Sequence, residues 1–142
     1  MRLVNSFVLV LLLASPVAAE LASAITSPYL KVQVALSDDS TEGVFEAAEE
    51  IMAAAAALGN DGKGLAEAAG TLAAAGDIEV ARRAFGVLSD ILIEYADSVG
   101  IGELKVAYCP MADRSWIQHD GSISNPFFGA FMLTCGSFSP SK

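Results

Sequence analysis

Only one histidine, His119, and two cysteines, Cys109 and Cys135, occur in 142 residues. A single imidazole, set in the turn-like run His119-Asp120-Gly121-Ser122, offers little for a Ser-His-Asp arrangement and only one candidate base for a cysteine nucleophile. Basic residues are also scarce: 8 Lys and Arg stand against 17 Asp and Glu, a formal net charge of −9. Sequence-independent nucleic-acid binding depends on cations that neutralise phosphates, and an anionic membrane surface makes the same demand, so both partners are disfavoured. No apolar run reaches the roughly 20 residues of a membrane span. Phe7–Ala14 is too short, and Ala53–Ala57 is closely flanked by Glu49, Glu50 and Asp61. Asn60-Asp61-Gly62-Lys63-Gly64 faintly resembles a calcium loop, but the register would put Ala57 or Gly59 at the first ligand position. It also lacks the Gly-Lys-Ser/Thr ending of a phosphate loop.

What is present begins with a leader. Arg2, the apolar run Phe7–Ala14 and the small-residue site Val17-Ala18-Ala19 have the order of a secretory signal peptide, with cleavage expected after Ala19. No cysteine stands at that cut to carry a lipid anchor. Residues 20–142 then form one domain-sized unit, expected in the periplasm. Loss of Arg2 would bring the net charge to about −10, an acidic shell that favours solubility and draws cations.

Helix signals run from Ile25 to Val99. Ser27-Pro28 reads as an N-cap with proline in the first turn. Ile25, Tyr29, Val32 and Leu36 make an apolar stripe, as do Val44, Ala48, Ile51, Ala55 and Leu58 in the next segment. Gly59 is a C-terminal stop. A third helix is expected over about Leu65–Ala75, alanine-rich and interrupted by Gly70. Gly76-Asp77 stops it and caps a fourth, whose stripe Ile78, Ala81, Phe85, Leu88, Leu92, Tyr95 and Val99 has the regular spacing of a bundle helix. The fold expected is mainly α: an antiparallel bundle of about four helices, closely spaced where alanine lines the faces.

After Gly102 the composition changes. Both cysteines, Trp116, His119 and three of the five prolines lie between Leu104 and Lys142. Leu104–Tyr108 alternates like a strand, Ser115–Gln118 is a second extended candidate, and Phe127–Leu133 reads as a short helix. This tail, residues 103–142, is expected to fold over one end of the bundle. Phe127 and Phe128 dock it there, and Gly129 permits a tight backbone. Trp116 either packs or sits over a bound cation.

The tail also concentrates sulfur. Cys109 and Met111 are two apart and share a side in extended chain; Met132 and Cys135 are three apart and share a face on a helical turn. If the pairs converge they form a Cys₂Met₂ cluster, soft donors suited to Cu(I) or Ag(I), with His119 as a further candidate ligand. The competing reading is a Cys109–Cys135 disulfide, the common fate of two cysteines in an exported chain. It would close a loop of about 27 residues and stabilise by roughly 2–4 kcal/mol. Met111 and Met132 would then be core fillers.

Tyr108-Cys109-Pro110-Met111-Ala112, Trp116-Ile117-Gln118, Ile123-Ser124-Asn125-Pro126-Phe127-Phe128-Gly129 and Met132-Leu133-Thr134-Cys135-Gly136 resemble the domain-of-unknown-function 3347 family. The resemblance covers nearly all of residues 20–142 and is strongest from Lys105 to Gly136. It implies a helical domain followed by such a tail, found as small exported proteins and as the C-terminal module of copper and silver efflux adaptors. It carries no settled biochemical function, and the residues themselves point to a non-catalytic protein. The partner it suggests is a metal efflux or envelope protein. The alanine-rich third helix with Gly70 departs from the family pattern.

Overall fold

The computed structural model describes residues 21–140, so the expected leader and its cleavage site lie outside the described residues. The chain is mainly helical, with a small three-stranded antiparallel sheet. The helices are α1 (Ser23–Ser37), α2 (Val44–Ala56), α3 (Lys63–Ala73) and α4 (Ile78–Val99). Among the described residues no helix is long and apolar enough to cross a membrane.

Each helix buries the stripe that its spacing marks: Ile25, Tyr29, Val32 and Leu36 on α1, Val44, Ala48, Ile51 and Ala55 on α2, and Ala81, Phe85, Leu88 and Leu92 on α4. On α3 the buried face is Leu65, Ala68, Ala69 and Leu72. The helices pack in chain order, α1 on α2, α2 on α3 and α3 on α4. Alanine on the facing sides of α2 and α3 leaves little between the backbones. A glycine, Gly62, is required where the chain turns from α2 to α3, because a Cβ there would fall on the Ala55 carbonyl.

The start of α1 differs from expectation. Ser27 does not cap it; the helix begins at Ser23 and carries Pro28 inside. Proline there gives up one helical hydrogen bond. Contacts from outside the helix hold the extra turn: the Leu21 N–H donates to the Gly100 carbonyl at 3.0 Å, and Leu21 and Ile25 are buried. The cap of α4 is as expected, with the Asp77 carboxylate accepting from the Val80 N–H at 2.9 Å.

Strands β1 (Lys105–Cys109) and β2 (Arg114–Gln118) form a hairpin, with Lys105 opposite Gln118 and Cys109 opposite Arg114. The two-residue β3 (Ser137–Phe138) adds to the other edge of β1. The sheet does not sit over one end of the helices. β2 lies along α4 and touches α1 beside residues in the middle of both helices. There the Ile117 N–H donates to the Tyr29 hydroxyl at 3.1 Å, and that hydroxyl lies 2.7 Å from the Ser89 Oγ. The Tyr29 hydroxyl thus joins β2 to α4 through Ser89. Burial pushes the Tyr29 pKa far up, so it remains neutral.

Aromatic rings extend this junction into the tail. Tyr29 stacks on Phe85 at 4.9 Å, Phe127 lies 6.0 Å from Phe85, and Trp116 meets Phe127 edge-on at 5.9 Å. Phe127 therefore docks the tail as its sequence position suggests. Trp116 is fully buried and its Nε1–H donates to the Gln118 Oε1 at 2.9 Å, so its ring packs and no face is left for a cation. The helix expected over Phe127–Leu133 shrinks to a single 3-10 turn at Gly129–Phe131. The reason is local: Gly129 adopts φ +54°, and the Asn125 N–H bonds across to the Leu133 carbonyl, closing a loop instead of a helix.

Candidate functional site

The site is the cysteine pair and the loop that carries it. Cys109 ends β1 and is fully buried; Cys135 precedes β3 and is half-buried. Their sulfur atoms lie 2.6 Å apart. That is well inside a non-bonded sulfur contact and beyond the roughly 2.05 Å of a disulfide bond. Two elements set the approach. Antiparallel pairing of β3 on β1 brings residues 137 and 138 beside Tyr108 and Ala107. Gly136, at φ +135°, lets the chain pass the Tyr108 carbonyl and the Trp116 ring, where a Cβ would crowd both.

Asn125 fixes the other side. It is fully buried, and its side-chain amide donates to the Cys135 carbonyl at 2.9 Å while its Oδ1 accepts from the Phe127 N–H at 2.8 Å. The same amide reaches the Cys109 sulfur, as do the backbone N–H groups of Met111 and Ala112. Burial opposes ionisation of Cys109, but these donors and the Cys135 thiol outweigh it and hold its pKa below the usual thiol value. The Cys135 pKa moves up, mainly because its thiol is the donor to Cys109 and also because it is partly desolvated. Of the two thiols, Cys109 is therefore the one that ionises more readily.

The other residues expected to join the sulfurs are placed differently. The Met111 backbone N–H serves both sulfurs, but its side chain is 67% exposed and stands in a surface cavity whose lining includes neither cysteine. Met132 is half-buried, and its carbonyl accepts the Cys135 N–H at 2.9 Å. His119 follows Gln118, at the end of the hairpin opposite Cys109, and lines a separate surface hollow with Leu21 and Leu104. Four residues of strand separate the two ends, about 14 Å. The structure therefore brings Cys109 and Cys135 together and does not bring His119 to them. Among the described residues, no three His, Cys, Asp or Glu side chains converge as a ligand set.

Two polar centres that hold the tail were missed in the sequence. Arg82 on α4 is only 11% exposed in its side chain and spans three segments. Its Nε donates to the Pro126 carbonyl and one terminal nitrogen to the Leu36 carbonyl, each at 2.9 Å, and the latter also pairs with Asp39 at 2.6 Å. Asp39 in turn accepts from the Ala130 N–H at 2.9 Å. Hydrogen bonding from Arg82, then from Ala130, holds the Asp39 carboxyl below its ordinary pKa. A Cβ on Gly129 would fall on this carboxylate, which is why glycine stands there. The second centre joins Gln33 and Ser37 of α1 to the tail through the Ser124 carbonyl, at 2.7 and 3.0 Å. No spacing rule links position 39 to 82, or 33 to 124; the only signal was polar residues on otherwise apolar helix faces.

Comparison with family models, with curated proteins and with solved structures finds no match to this chain.

Proposed function

We propose that this protein is a non-catalytic, exported helical-bundle module of the periplasm, whose Cys109–Cys135 pair closes as a disulfide and staples the tail to itself. The observation that carries this reading is the 2.6 Å approach of two sulfurs in a setting where the neighbouring polar groups already serve the fold. The pair is poorly arranged for redox catalysis. A disulfide-exchange thiol must be accessible and easily ionised. Here the lowered pKa belongs to buried Cys109, and the more accessible Cys135 is the harder to ionise. An oxidising compartment supplies the acceptor for the two electrons and two protons that bond formation releases.

A second reading is favoured by the lowered pKa of Cys109 beside Cys135: when reduced, the pair offers two soft donors to Cu(I) or Ag(I). Met111 and Met132, as chain neighbours of the pair, are the thioethers within reach of rearrangement. The link to copper or silver handling and to an efflux or envelope partner rests on the resemblance to the domain-of-unknown-function 3347 family.

Alkylation and mass measurement of protein taken from an oxidising compartment decide between them. The disulfide reading expects no modification before reduction, two adducts after it, and a fall in the urea midpoint on reduction. Two freely alkylated thiols in the protein as isolated, with 1:1 Cu(I) uptake against a chromophoric chelator that Cys135→Ser abolishes, would overturn it in favour of the metal reading.

A further inference from the structure

The two sulfurs of the cysteine pair do not share the same surroundings. Side chains alternate along β1, so Cys109 lies on the core-facing side with Ala107, and both are fully buried, while Tyr108 between them stands exposed. Cys135 approaches on the side of the edge strand β3, in a segment where Leu133, Thr134 and Ser137 are exposed and Cys135 itself is half-buried. The hydrogen-bond donors are divided as unequally. The Asn125 amide and the Met111 and Ala112 N–H groups reach the Cys109 sulfur, and of these only the Met111 N–H also serves Cys135.

Once a bond joins the sulfurs, this asymmetry decides how it can be exchanged. A thiolate attacks one sulfur of a disulfide and the other sulfur leaves. The displacement runs in line, so the incoming sulfur must stand on the far side of the one it attacks. Cys109 has no exposed surface, and no reactant reaches its far side without opening the core. Cys135 offers a path from solvent. The leaving sulfur is then Cys109, whose departing charge meets three donors already in place, and a stabilised thiolate leaves faster. In the opposite direction Cys135 ionises less readily, which slows its attack on an external disulfide. The thiolate of a less acidic thiol is the stronger nucleophile, which offsets part of that loss, whereas a thiol with no path to the reactant does not attack at all.

We propose that Cys135 is the exchange site of this protein: thiol and disulfide carriers bond covalently to Cys135, and buried Cys109 serves only as the internal leaving or resolving sulfur. The proposal rests on the disulfide reading and gives that staple a direction. In closure, the Cys135 thiolate attacks the carrier's disulfide, a bond forms between Cys135 and one carrier sulfur, and the other carrier sulfur leaves as a thiolate. The Cys109 thiolate then attacks the Cys135 sulfur, the Cys109–Cys135 bond forms, and the second carrier thiolate leaves. The carrier's disulfide takes the two electrons, and the two thiol protons pass to water. Opening is the reverse. A carrier thiolate bonds to Cys135 while the electron pair of the staple departs on Cys109, and a second carrier thiolate attacks the first carrier sulfur and frees Cys135. The pair is thereby a substrate of disulfide exchange and not itself a carrier.

Trapping the mixed disulfide tests the proposal. The reduced parent chain is mixed with glutathione disulfide, quenched in acid at early times and digested with pepsin, and the glutathione adduct is located by peptide mass. It is expected on the Cys135 peptide. Single-cysteine chains supply the rates. Reduced Cys109→Ser should take up one glutathione about tenfold or more faster than reduced Cys135→Ser, and the two rates should converge in concentrated urea, where burial no longer separates the thiols. Thermal melts establish that each chain is folded, and Cys109→Ala replaces Cys109→Ser where serine unfolds the buried position. A Cys-x-x-Cys oxidoreductase whose second cysteine is serine separates a protein carrier from a small one. Mixed with the oxidised chain, it should be held on Cys135, and its rate beside that of glutathione tells which carrier the site favours. An adduct on Cys109 in the quenched parent chain, or equal rates for two folded single-cysteine chains, would overturn the proposal and leave the thiol count untouched. A parent chain that holds glutathione on Cys135 without ever closing would instead sink the staple reading, with Cys135 still the exchange site.

Discussion

The helices and the tail solve the same problem with different materials. The helical part, residues 23–99, is held by repeated small and aliphatic side chains, with alanine at many of the closest points. Its specificity is distributed, and no single pair of atoms decides it. The tail has little regular structure beyond a hairpin and a two-residue strand. It is placed by individual polar groups: Asn125 at the cysteine loop, Gln118 bonding the His119 and Ser122 carbonyls and the Ser124 N–H, and Arg82 at the Pro126 carbonyl. Among the described residues no buried side-chain nitrogen or oxygen is left without a partner. A core of interchangeable small residues absorbs change by repacking; a network of unique bonds cannot.

Substitutions can break that contrast or sharpen it. The largest effect is expected at the junction, where Phe85→Ala removes the ring between Tyr29 and Phe127 and should cost about 3–5 kcal/mol in urea unfolding. Asn125→Ala should cost about 3 kcal/mol, because it strands the Cys135 carbonyl and the Phe127 N–H together. A loss below about 1 kcal/mol would show that the tail is not over-determined as argued. The sharpest pair is two glycine replacements of opposite sign. Gly129→Ala forces a left-handed φ of +54° onto alanine and drives its Cβ onto Asp39, and should destabilise by about 2 kcal/mol or more. Gly70→Ala lies in a helix interior where the new Cβ meets only the flexible Met52 Sδ at 3.3 Å, and should stabilise by about 0.5–1 kcal/mol.

The smallest expected effect is one of pH. Asp39 has a folded-state pKa below its unfolded value, so its contribution is complete above the ordinary carboxylate range and is lost as pH falls through the lowered folded value. Unfolding midpoints measured between pH 6 and pH 2 should fall less steeply for Asp39→Asn than for the parent chain.

The two regions also differed in how far the sequence revealed them. Periodicity identified the buried faces of α1, α2 and α4 because an apolar stripe is a local property, repeated along one segment. The start of α1 escaped, since its first turn is anchored by Gly100, which lies some eighty positions downstream. In the tail, alternation marked β1 and Ser115–Gln118 read as extended, but β3 is only two residues long and exists through its pairing with β1. The short helix expected at Phe127–Leu133 failed because Asn125 and Gly129 impose a loop that no periodic pattern encodes. At the site, the two cysteines drew attention as the only thiols, and they do meet. Spacing suggested that Met111 would follow Cys109, and His119 was a candidate only as the single imidazole; the direction of the hairpin sends His119 to its opposite end and the Met111 side chain toward arginines. Arg82 and Asp39 looked like two more surface charges because their meaning depends on a chain crossing 43 residues later.

The Tyr29 hydroxyl has a consequence for the order of assembly. It accepts its hydrogen bond from Ile117, a residue synthesised after every helix is complete. Until that strand arrives, the faces of α1 and α4 that meet it remain uncovered, with Tyr29, Phe85 and Ser89 open to water. Chains truncated near Val99 should therefore stay protease-sensitive and only loosely collapsed, and cooperative closure should require the hairpin.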